Sequence, residues 1–225
     1  MPWSAWTRTT EVEPSLYAAD FADLGTQVEE LLRAECRVFH FDIGDGHFVE
    51  PITMGPIVLK SISPLIHRYN GAIDVHLMAE SPAKHFAAIA AAGGDSVTFH
   101  FEAVDDVPAT IGAARGEGLQ VGVAFNPESE PEDVAAVAGE ADIVLCMSIH
   151  PGYSGQPFRE ETYGRLRRLR LALPPQILIQ VDGGVSSHNI RKIHDAGATL
   201  LVAGSAIFEH DDLAGAYRQL VQALA

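Results

Sequence analysis

The sequence predicts an α/β protein that consists of a single (β/α)8 TIM barrel. Eight short runs rich in β-branched and apolar residues are each followed by a longer segment with apolar residues at helical spacing. Strands that are flanked by helices throughout are expected to be parallel, with both faces of the sheet covered. The 225 residues contain no linker-like segment and are enough for one such barrel. An open doubly wound sheet is the alternative, but the Gly-x-Gly-x-x-Gly loop that usually follows its first strand is missing there.

The elements follow one another in strict order along the chain. Strands are predicted at residues 12–16, 38–42, 72–78, 96–101, 120–125, 143–148, 177–182 and 200–204. Helices are predicted at residues 22–34, 56–63, 82–92, 105–117, 131–138, 160–172, 187–196 and 212–224. Pro82 and Pro131 mark helix starts, where a missing N–H is harmless, and Gly93, Gly118 and Gly197 fit left-handed helix ends. We divide the chain into an N-terminal extension, residues 1–13, and a catalytic barrel, residues 14–225.

Charge and apolar content exclude several classes of function. The chain has 15 Lys+Arg against 30 Asp+Glu, a net charge of −15, and nucleic acids or anionic membranes would repel such a surface. Its apolar runs are far shorter than the roughly 20 residues of a membrane-spanning helix. We therefore expect no nucleic-acid or membrane partner. Cys36 and Cys146 lie in apolar surroundings as expected reduced thiols, and the first residues lack a secretory signal, so a cytoplasmic location is predicted.

Polar side chains are concentrated where the predicted strands end, which is where barrel enzymes carry their chemistry. The second strand ends with His40 and Asp42, the third carries His76, and the seventh ends with Asp182. Such a mixed set of imidazoles and carboxylates suits Zn²⁺, Fe²⁺, Mn²⁺ or Co²⁺. A hydrogen-bonded network without a metal needs the same residue types, and the spacing alone leaves both interpretations open. The fourth strand ends with His100 and Glu102, to which the spacing assigns no role.

Glycine-rich loops follow the last three predicted strands. Those after strands seven and eight contain Gly183-Gly184 and Gly204-Ser205, the positions at which barrels often bind phosphate through backbone N–H groups. These glycines would also suit simple tight turns. The loop at residues 151–158 contains Gly152 and Gly155 and is interpreted as a lid over the substrate, with a merely solvated loop as the alternative.

Six segments in the same order resemble the ribulose-phosphate 3-epimerase family, from about Pro14 to the last helix. They are residues 14–21, 40–49, 74–78, 147–156, 181–185 and 202–205. The resemblance implies a barrel of the ribulose-phosphate-binding type that interconverts D-ribulose 5-phosphate and D-xylulose 5-phosphate. It also implies a sugar phosphate as the partner, and assembly into a homo-oligomer.

The resemblance further assigns roles to individual residues of this sequence. One divalent metal ion per chain would be bound by four ligands, which are His40, Asp42, His76 and Asp182. Asp42 and Asp182 would act as the two acid–base groups, one on each face of an enediolate. The residues implied in substrate binding are Ser15, His76, Met78, Met147, Gly152, Gly155, Gly183, Gly184, Gly204 and Ser205.

Two departures from the family pattern leave the substrate open. Gly44 stands where the family usually has methionine, and Glu50-Pro51 replaces the usual Pro-Asn. These changes would make room for, or recognise, a longer sugar, which gives the first alternative, a 3-epimerase of a six-carbon ketose 6-phosphate such as allulose 6-phosphate. The missing methionine supports a second alternative, a sugar-phosphate-binding barrel with little turnover.

Overall fold

Eight parallel strands form a barrel in the computed structural model, which describes residues 3–7, 9–153 and 155–224. The ladder runs in the order β1-β8-β7-β6-β5-β4-β3-β2, and a single parallel bridge between Ser15 and His40 joins its two ends. The bounds are Glu11–Pro14 (β1), Val38–Gly44 (β2), Ala72–Met78 (β3), Ser96–His100 (β4), Gln120–Phe125 (β5), Ile143–Met147 (β6), Leu178–Asp182 (β7) and Leu200–Ala203 (β8). The predicted fold class is thereby confirmed.

Helices separate these strands along the chain, and the longer ones cover the outside of the barrel. They are Trp3–Trp6 (α1), Leu24–Arg33 (α2), Pro56–Arg68 (α3), Phe86–Ala91 (α4), Val107–Gly116 (α5), Pro131–Val137 (α6), Thr162–Ala172 (α7), Ile190–Asp195 (α8), Ser205–Phe208 (α9) and Leu213–Ala223 (α10). Asp106 and Asp212 cap α5 and α10 by accepting hydrogen bonds from the backbone N–H groups of Ala109 and Gly215. Within the described residues, no helix combines the length and apolar character needed to cross a membrane.

Several elements differ from the prediction for local reasons. Helix α3 does not end at Ser63 but continues through Pro64, whose ring is exposed, because the next turn buries Ile66 completely. The single helix predicted at 82–92 is a 3-10 turn, Pro82–Lys84, followed by α4. Helices α1 and α9 were not predicted, since segments of four residues are too short to show a helical period. Strand β1 begins at Glu11, and the division of the chain at residue 14 stays a prediction.

Residues of β2 alternate between the two sides of the barrel wall and thereby position the polar side chains. Phe39, Phe41 and Ile43 belong to the main apolar core beneath the helices. Because successive strand residues point to opposite faces, His40 and Asp42 point into the barrel. The strand is therefore apolar towards the helices and polar towards the interior near its C-terminal end.

The N-terminal ends of the strands are covered by helix α1. Trp3 and Trp6 are buried there and meet edge to face with their ring centroids 5.2 Å apart. They pack against residues at the beginnings of several strands and form with them a cluster that is separate from the main core. The strand residues of this cluster are Val38, Ala72, Ile143 and Leu200. The barrel is thus closed at this end, and its functional pocket lies at the other.

Candidate active site

Two histidines and two aspartates from three strands converge inside the C-terminal end of the barrel. His40 and Asp42 come from β2, His76 from β3 and Asp182 from β7. One ligand atom of each lies within 4.8 Å of all the others. The Nδ1 atom of His76 lies 3.0 Å from Oδ1 of Asp42 and 4.0 Å from Oδ2 of Asp182. The four residues that the sequence proposed as metal ligands therefore lie together.

The donor set fits a divalent cation. Nε2 of His40 is buried and has no hydrogen-bond partner among the described residues, although it lies 3.4 Å from Oδ1 of Asp42. A buried ring nitrogen without a partner is costly unless it binds something. Two imidazole nitrogens and two carboxylates are the ligands that Zn²⁺, Fe²⁺, Mn²⁺ and Co²⁺ accept. These residues could hold such an ion.

The two aspartates have opposite electrostatic settings. Burial would raise the pKa of Asp42, but the neighbouring His40 and His76 lower it well below the usual range of a carboxyl. Burial raises the pKa of Asp182, and the negative charge of Asp42 raises it further. Before any cation is bound, Asp42 is thus a carboxylate, while Asp182 holds a proton more readily.

Ser15 belongs to the same group of residues. It follows β1, and its hydroxyl donates a 2.8 Å hydrogen bond to Oδ2 of Asp42. Both oxygens of Asp42 are therefore contacted, since Oδ1 faces Nδ1 of His76. The residue that the resemblance places near the substrate therefore orients the Asp42 carboxylate.

Three further polar residues lie below this cluster, and the sequence analysis gave none of them a role. Nδ1 of His40 lies 3.2 Å from Oδ2 of Asp74, and the Gln180 amide donates to Asp74 and to Glu13 at 2.8 and 2.6 Å. Burial would lower the pKa of His40, but Asp42 and Asp74 raise it well above its ordinary value. Burial, reinforced by the charge of Asp74, raises the pKa of Glu13 well above its ordinary value. Asp74, Glu13 and Gln180 stand at inward positions of their strands. The two-residue alternation of side chains along a strand was therefore the sequence signal that could have identified them.

His100 and Glu102 continue the cluster on its other side. Nε2 of His100 lies 2.8 Å from Nε2 of His76, and Nδ1 of His100 lies 3.3 Å from Oε2 of Glu102. Burial lowers the pKa of His100 to about 4, so this ring is neutral in neutral solution. Burial would raise the pKa of Glu102, but its hydrogen bonds to His100, Ser129 and the Asn126 backbone lower it.

A pocket opens above Asp42 and Asp182. Apolar side chains line one part of it, and glycines and a serine from the loops after β7 and β8 line another. Among the residues that line it are Ser15, Met78, Met147, Ile149, Gly152, Gly155, Gly183, Gly184, Gly204 and Ser205. His40 and His76 are fully buried below it. All substrate-binding residues that the resemblance implied, apart from His76, therefore line one pocket, and His76 lies beneath it.

The glycine at position 184 is required by the fold of this pocket. Its φ is +62°, and a β-carbon would lie 2.5 Å from the backbone nitrogen of Phe158. Gly184 thus lets the loop after β7 approach the loop after β6, which keeps backbone groups rather than side chains at this end of the pocket.

The loop after β6 contacts the loop after β2 across the pocket mouth. A β-carbon on Gly152 would lie 3.3 Å from the ring of Pro51, and Tyr153 donates a 3.0 Å hydrogen bond to Glu50. Both residues of the Glu50-Pro51 departure are therefore engaged by the segment that the sequence proposed as a lid. The closing of this segment over a substrate stays a prediction.

The space expected at Gly44 does not exist. A β-carbon there would lie 2.8 Å from the backbone oxygen of Pro51 and 2.9 Å from Cγ2 of Val49. The expectation that the missing methionine makes room for a longer sugar is wrong, because the loop after β2 fills that volume. Neither the six-carbon alternative nor the low-turnover alternative is supported.

Fold and site together define a (β/α)8-barrel enzyme whose chemistry lies at the C-terminal ends of its strands. A family model described as "Ribulose-phosphate 3 epimerase family" matches residues 11–208 of the chain. The chain therefore belongs to the ribulose-phosphate 3-epimerase family, as its motifs predicted.

Individual relatives agree with this assignment. Ribulose-phosphate 3-epimerase from Escherichia coli K12 is 39% identical over 204 residues, which cover 89% of this chain and 90% of that protein. Ribulose-phosphate 3-epimerase from Bacillus subtilis is 34% identical over 206 residues, covering 90% of this chain and 94% of that protein.

More distant solved structures show the same fold. 3-Hexulose-6-phosphate synthase from Salmonella typhimurium superposes with a TM-score of 0.70 at 19% identity, covering 95% of this chain and 98% of that chain. KGPDC from Streptococcus mutans gives a TM-score of 0.70 at 14% identity, covering 96% of this chain and 98% of that chain. At these identities the likeness concerns the barrel alone.

Proposed function

We propose that this protein is a 3-epimerase of D-ribulose 5-phosphate and D-xylulose 5-phosphate, with Asp42 and Asp182 as its acid–base pair. The observation that carries the proposal is that both carboxyl groups line one pocket in opposite electrostatic settings. Inversion of a carbon next to a ketone needs a base on one face and an acid on the other. A carboxylate and a second carboxyl group that holds a proton more readily provide such a base and such an acid.

Each residue of the pair has a defined task. Asp42 as the carboxylate removes the proton from C3 of one epimer, and Asp182 donates a proton to the opposite face; the roles exchange in the reverse direction. The hydroxyl of Ser15 orients Asp42 through its 2.8 Å hydrogen bond. Met78 and Met147 exclude water from the planar intermediate, which protects it from side reactions with solvent.

A divalent cation held by His40, Asp42, His76 and Asp182 would supply stabilisation of the negative charge that develops on the enediolate oxygens. Gly184, Gly204 and Ser205 would bind the phosphate group through backbone N–H groups and the serine hydroxyl, so that a net negative protein can still bind a small anion locally.

A solvent-exchange assay tests this function. D-Ribulose 5-phosphate is incubated with the protein in deuterated buffer, and NMR follows deuterium at C3 together with the appearance of D-xylulose 5-phosphate. We expect both for the wild type and no D-xylulose 5-phosphate for Asp182→Asn or Asp42→Asn, because inversion needs both groups, whereas the remaining aspartate can still exchange a proton on its own face. Asp211→Asn is the matched control, because Asp211 is exposed after α9 and outside the pocket. Undiminished formation of D-xylulose 5-phosphate by Asp182→Asn would overturn the assignment of the pair.

Metal analysis of the purified wild type tests the ligand set. We expect about one divalent ion per chain and its loss in His40→Ala, while Asp211→Asn keeps it. Wild-type protein that epimerises at full rate after complete removal of divalent ions would contradict the metal site and leave the acid–base pair in place.

The proposal also covers the cellular location of the protein and its assembly into oligomers. Cys36 and Cys146 are buried free thiols, as a reducing compartment such as the cytoplasm permits. In that compartment the reaction would serve the pentose phosphate pathway.

Ile52 and Ile57, exposed by 83% and 84%, offer apolar surface that a second copy could cover in a homo-oligomer. Light scattering of the purified protein measures the number of subunits, and a monomer would contradict the assembly.

A further inference from the structure

His76 contacts a partner with each of its two ring nitrogens. Nδ1 faces the proposed metal site, 3.0 Å from Asp42. Nε2 faces away from it and lies 2.8 Å from Nε2 of His100. Two ring nitrogens at this distance require one proton between them, because two lone pairs or two N–H groups would repel each other. The chain of contacts beyond His100 therefore decides which ring carries that proton.

The outer end of this chain is an acceptor. Oε2 of Glu102 lies 3.3 Å from Nδ1 of His100, and Oε1 of Glu102 accepts hydrogen bonds from the backbone N–H of Asn126, at 2.7 Å, and from the Ser129 hydroxyl. A carboxylate has only acceptor positions, so Nδ1 of His100 must carry a hydrogen. The neutral ring of His100 then has a lone pair at Nε2 and accepts the Nε2 hydrogen of His76.

We propose that His100 and Glu102 are positioning residues that keep a proton on Nε2 of His76 and so direct the lone pair of Nδ1 into the metal site. This inference rests on the metal site proposed above and adds to it the residues that decide how one ligand presents itself. Metal-binding histidines generally need such a partner at the second nitrogen, because it fixes both the tautomer and the ring orientation.

We call the series of contacts from Glu102 through His100 to His76 the relay, and other parts of the barrel enclose it. The rings of His76 and His100 meet edge to edge with their centroids 5.0 Å apart and their planes only 27° apart, as an N–H···N hydrogen bond requires, and the ring centroid of Phe48 lies 4.7 Å from that of His100. Both histidines are completely buried. Bulk water therefore cannot replace His100 as the acceptor for His76.

The substitution Glu102→Gln should reverse the direction of the hydrogen bonds along the relay, although Glu102 itself does not contact the metal site. In Glu102→Gln the amide oxygen is still needed by the Asn126 N–H and the Ser129 hydroxyl. The amide nitrogen then faces His100 and donates to its Nδ1. His100 must carry its hydrogen on Nε2 and donate to His76, which leaves the His76 hydrogen on Nδ1, where it opposes metal binding. The change is nearly isosteric; besides reversing this hydrogen bond it removes the negative charge of Glu102, and His100→Phe interrupts the same contacts while leaving that charge in place.

Nitrogen NMR on the zinc-loaded wild type tests the relay without any mutation. We expect the protonated ring nitrogens to be Nε2 of His76 and Nδ1 of His100. A zinc-loaded protein with the His100 hydrogen on Nε2 would overturn the relay and leave the metal site intact. A wild type that binds no zinc would overturn the metal site and the relay together.

Zinc affinity, measured by competition with a chelator, tests the same residues by substitution. We expect Glu102→Gln and His100→Phe to weaken zinc binding by about 10–100-fold. Asp95→Asn is the matched control, because Asp95 pairs with His67 at 2.8 Å just before β4, at the opposite end of the barrel. Unchanged affinity in both relay variants, or equal weakening in Asp95→Asn, would contradict the proposal.

Discussion

The backbone oxygen of Pro51 lies 2.8 Å from the position that a β-carbon on Gly44 would occupy. The two departures from the family pattern at these positions are thus one structural change: the loop after β2 lies where a side chain at position 44 would lie. Because Gly152 packs on the ring of Pro51, the same change shapes the loop after β6. The missing methionine therefore leaves no empty space in the pocket.

Gly44→Ala should destabilise the protein by about 1–3 kcal/mol, because the added methyl group meets backbone that must move. Urea unfolding measures this change. Gly25→Ala is the control: Gly25 lies in α2 with nothing within 4 Å of the added carbon, so alanine should be neutral or slightly stabilising there. Equal stability of the two variants would show that the loop after β2 does not pack against position 44.

Ser15→Ala should lower kcat about tenfold or more, since a hydrogen bond to a charged group contributes roughly 1.5–3 kcal/mol. The lost contact is the 2.8 Å bond that orients Asp42. Steady-state kinetics on D-ribulose 5-phosphate gives kcat, and Ser61→Ala on the exposed face of α3 is the matched control. A rise in KM with kcat unchanged would instead assign Ser15 to substrate binding alone.

Trp3→Ala should reduce the free energy of unfolding by about 3 kcal/mol, the usual cost of removing a buried aromatic ring. Trp3 is 4% exposed and closes the N-terminal end of the barrel, whereas Leu171 is 89% exposed. Urea unfolding of Trp3→Ala and of the control Leu171→Ala should therefore give clearly different midpoints. Since the pocket lies at the other end, kcat of folded Trp3→Ala should equal that of the wild type.

Neither cysteine should react with a thiol reagent while the protein is folded. Burial raises the pKa of Cys146 to about 12 and that of Cys36 well above its ordinary value, so both remain protonated thiols. We expect no labelled thiol in native protein at pH 8 and 2 per chain in denaturant, as the sequence contains. Rapid labelling of one native thiol would place that residue at the surface.

Stability should decrease in mild acid through His100. Its pKa falls from 6.5 to about 4 on burial, so the folded state binds fewer protons than the unfolded state between these values. The contribution is complete above pH 6.5 and is lost as the pH falls towards 4. Between pH 7.5 and 4.5, the stability advantage of metal-free wild type over His100→Phe should shrink by about 2–3 kcal/mol. A constant difference would mean that His100 titrates normally.

Local patterns were sufficient for the barrel and for the position of its chemistry. Alternation of strand and helix periods requires only neighbours in sequence, and the two-residue period placed His40 and Asp42 on one inward face. The same period held Glu13, Asp74 and Gln180, yet these were passed over because an inward polar residue gains meaning only from its partners. Helix α3 was predicted too short because burial of Ile66 compensates for Pro64.

The sequence by itself determined the fold class, the family and the set of side chains at the pocket, because each depends on residue types at fixed spacing. Only the tertiary structure decided that Pro51 fills the space beside Gly44, that Trp3 closes the far end, and that His100 faces the second nitrogen of His76. These relationships join different strands and loops. Their distances are set by how the whole barrel packs, and no local period in the chain encodes them.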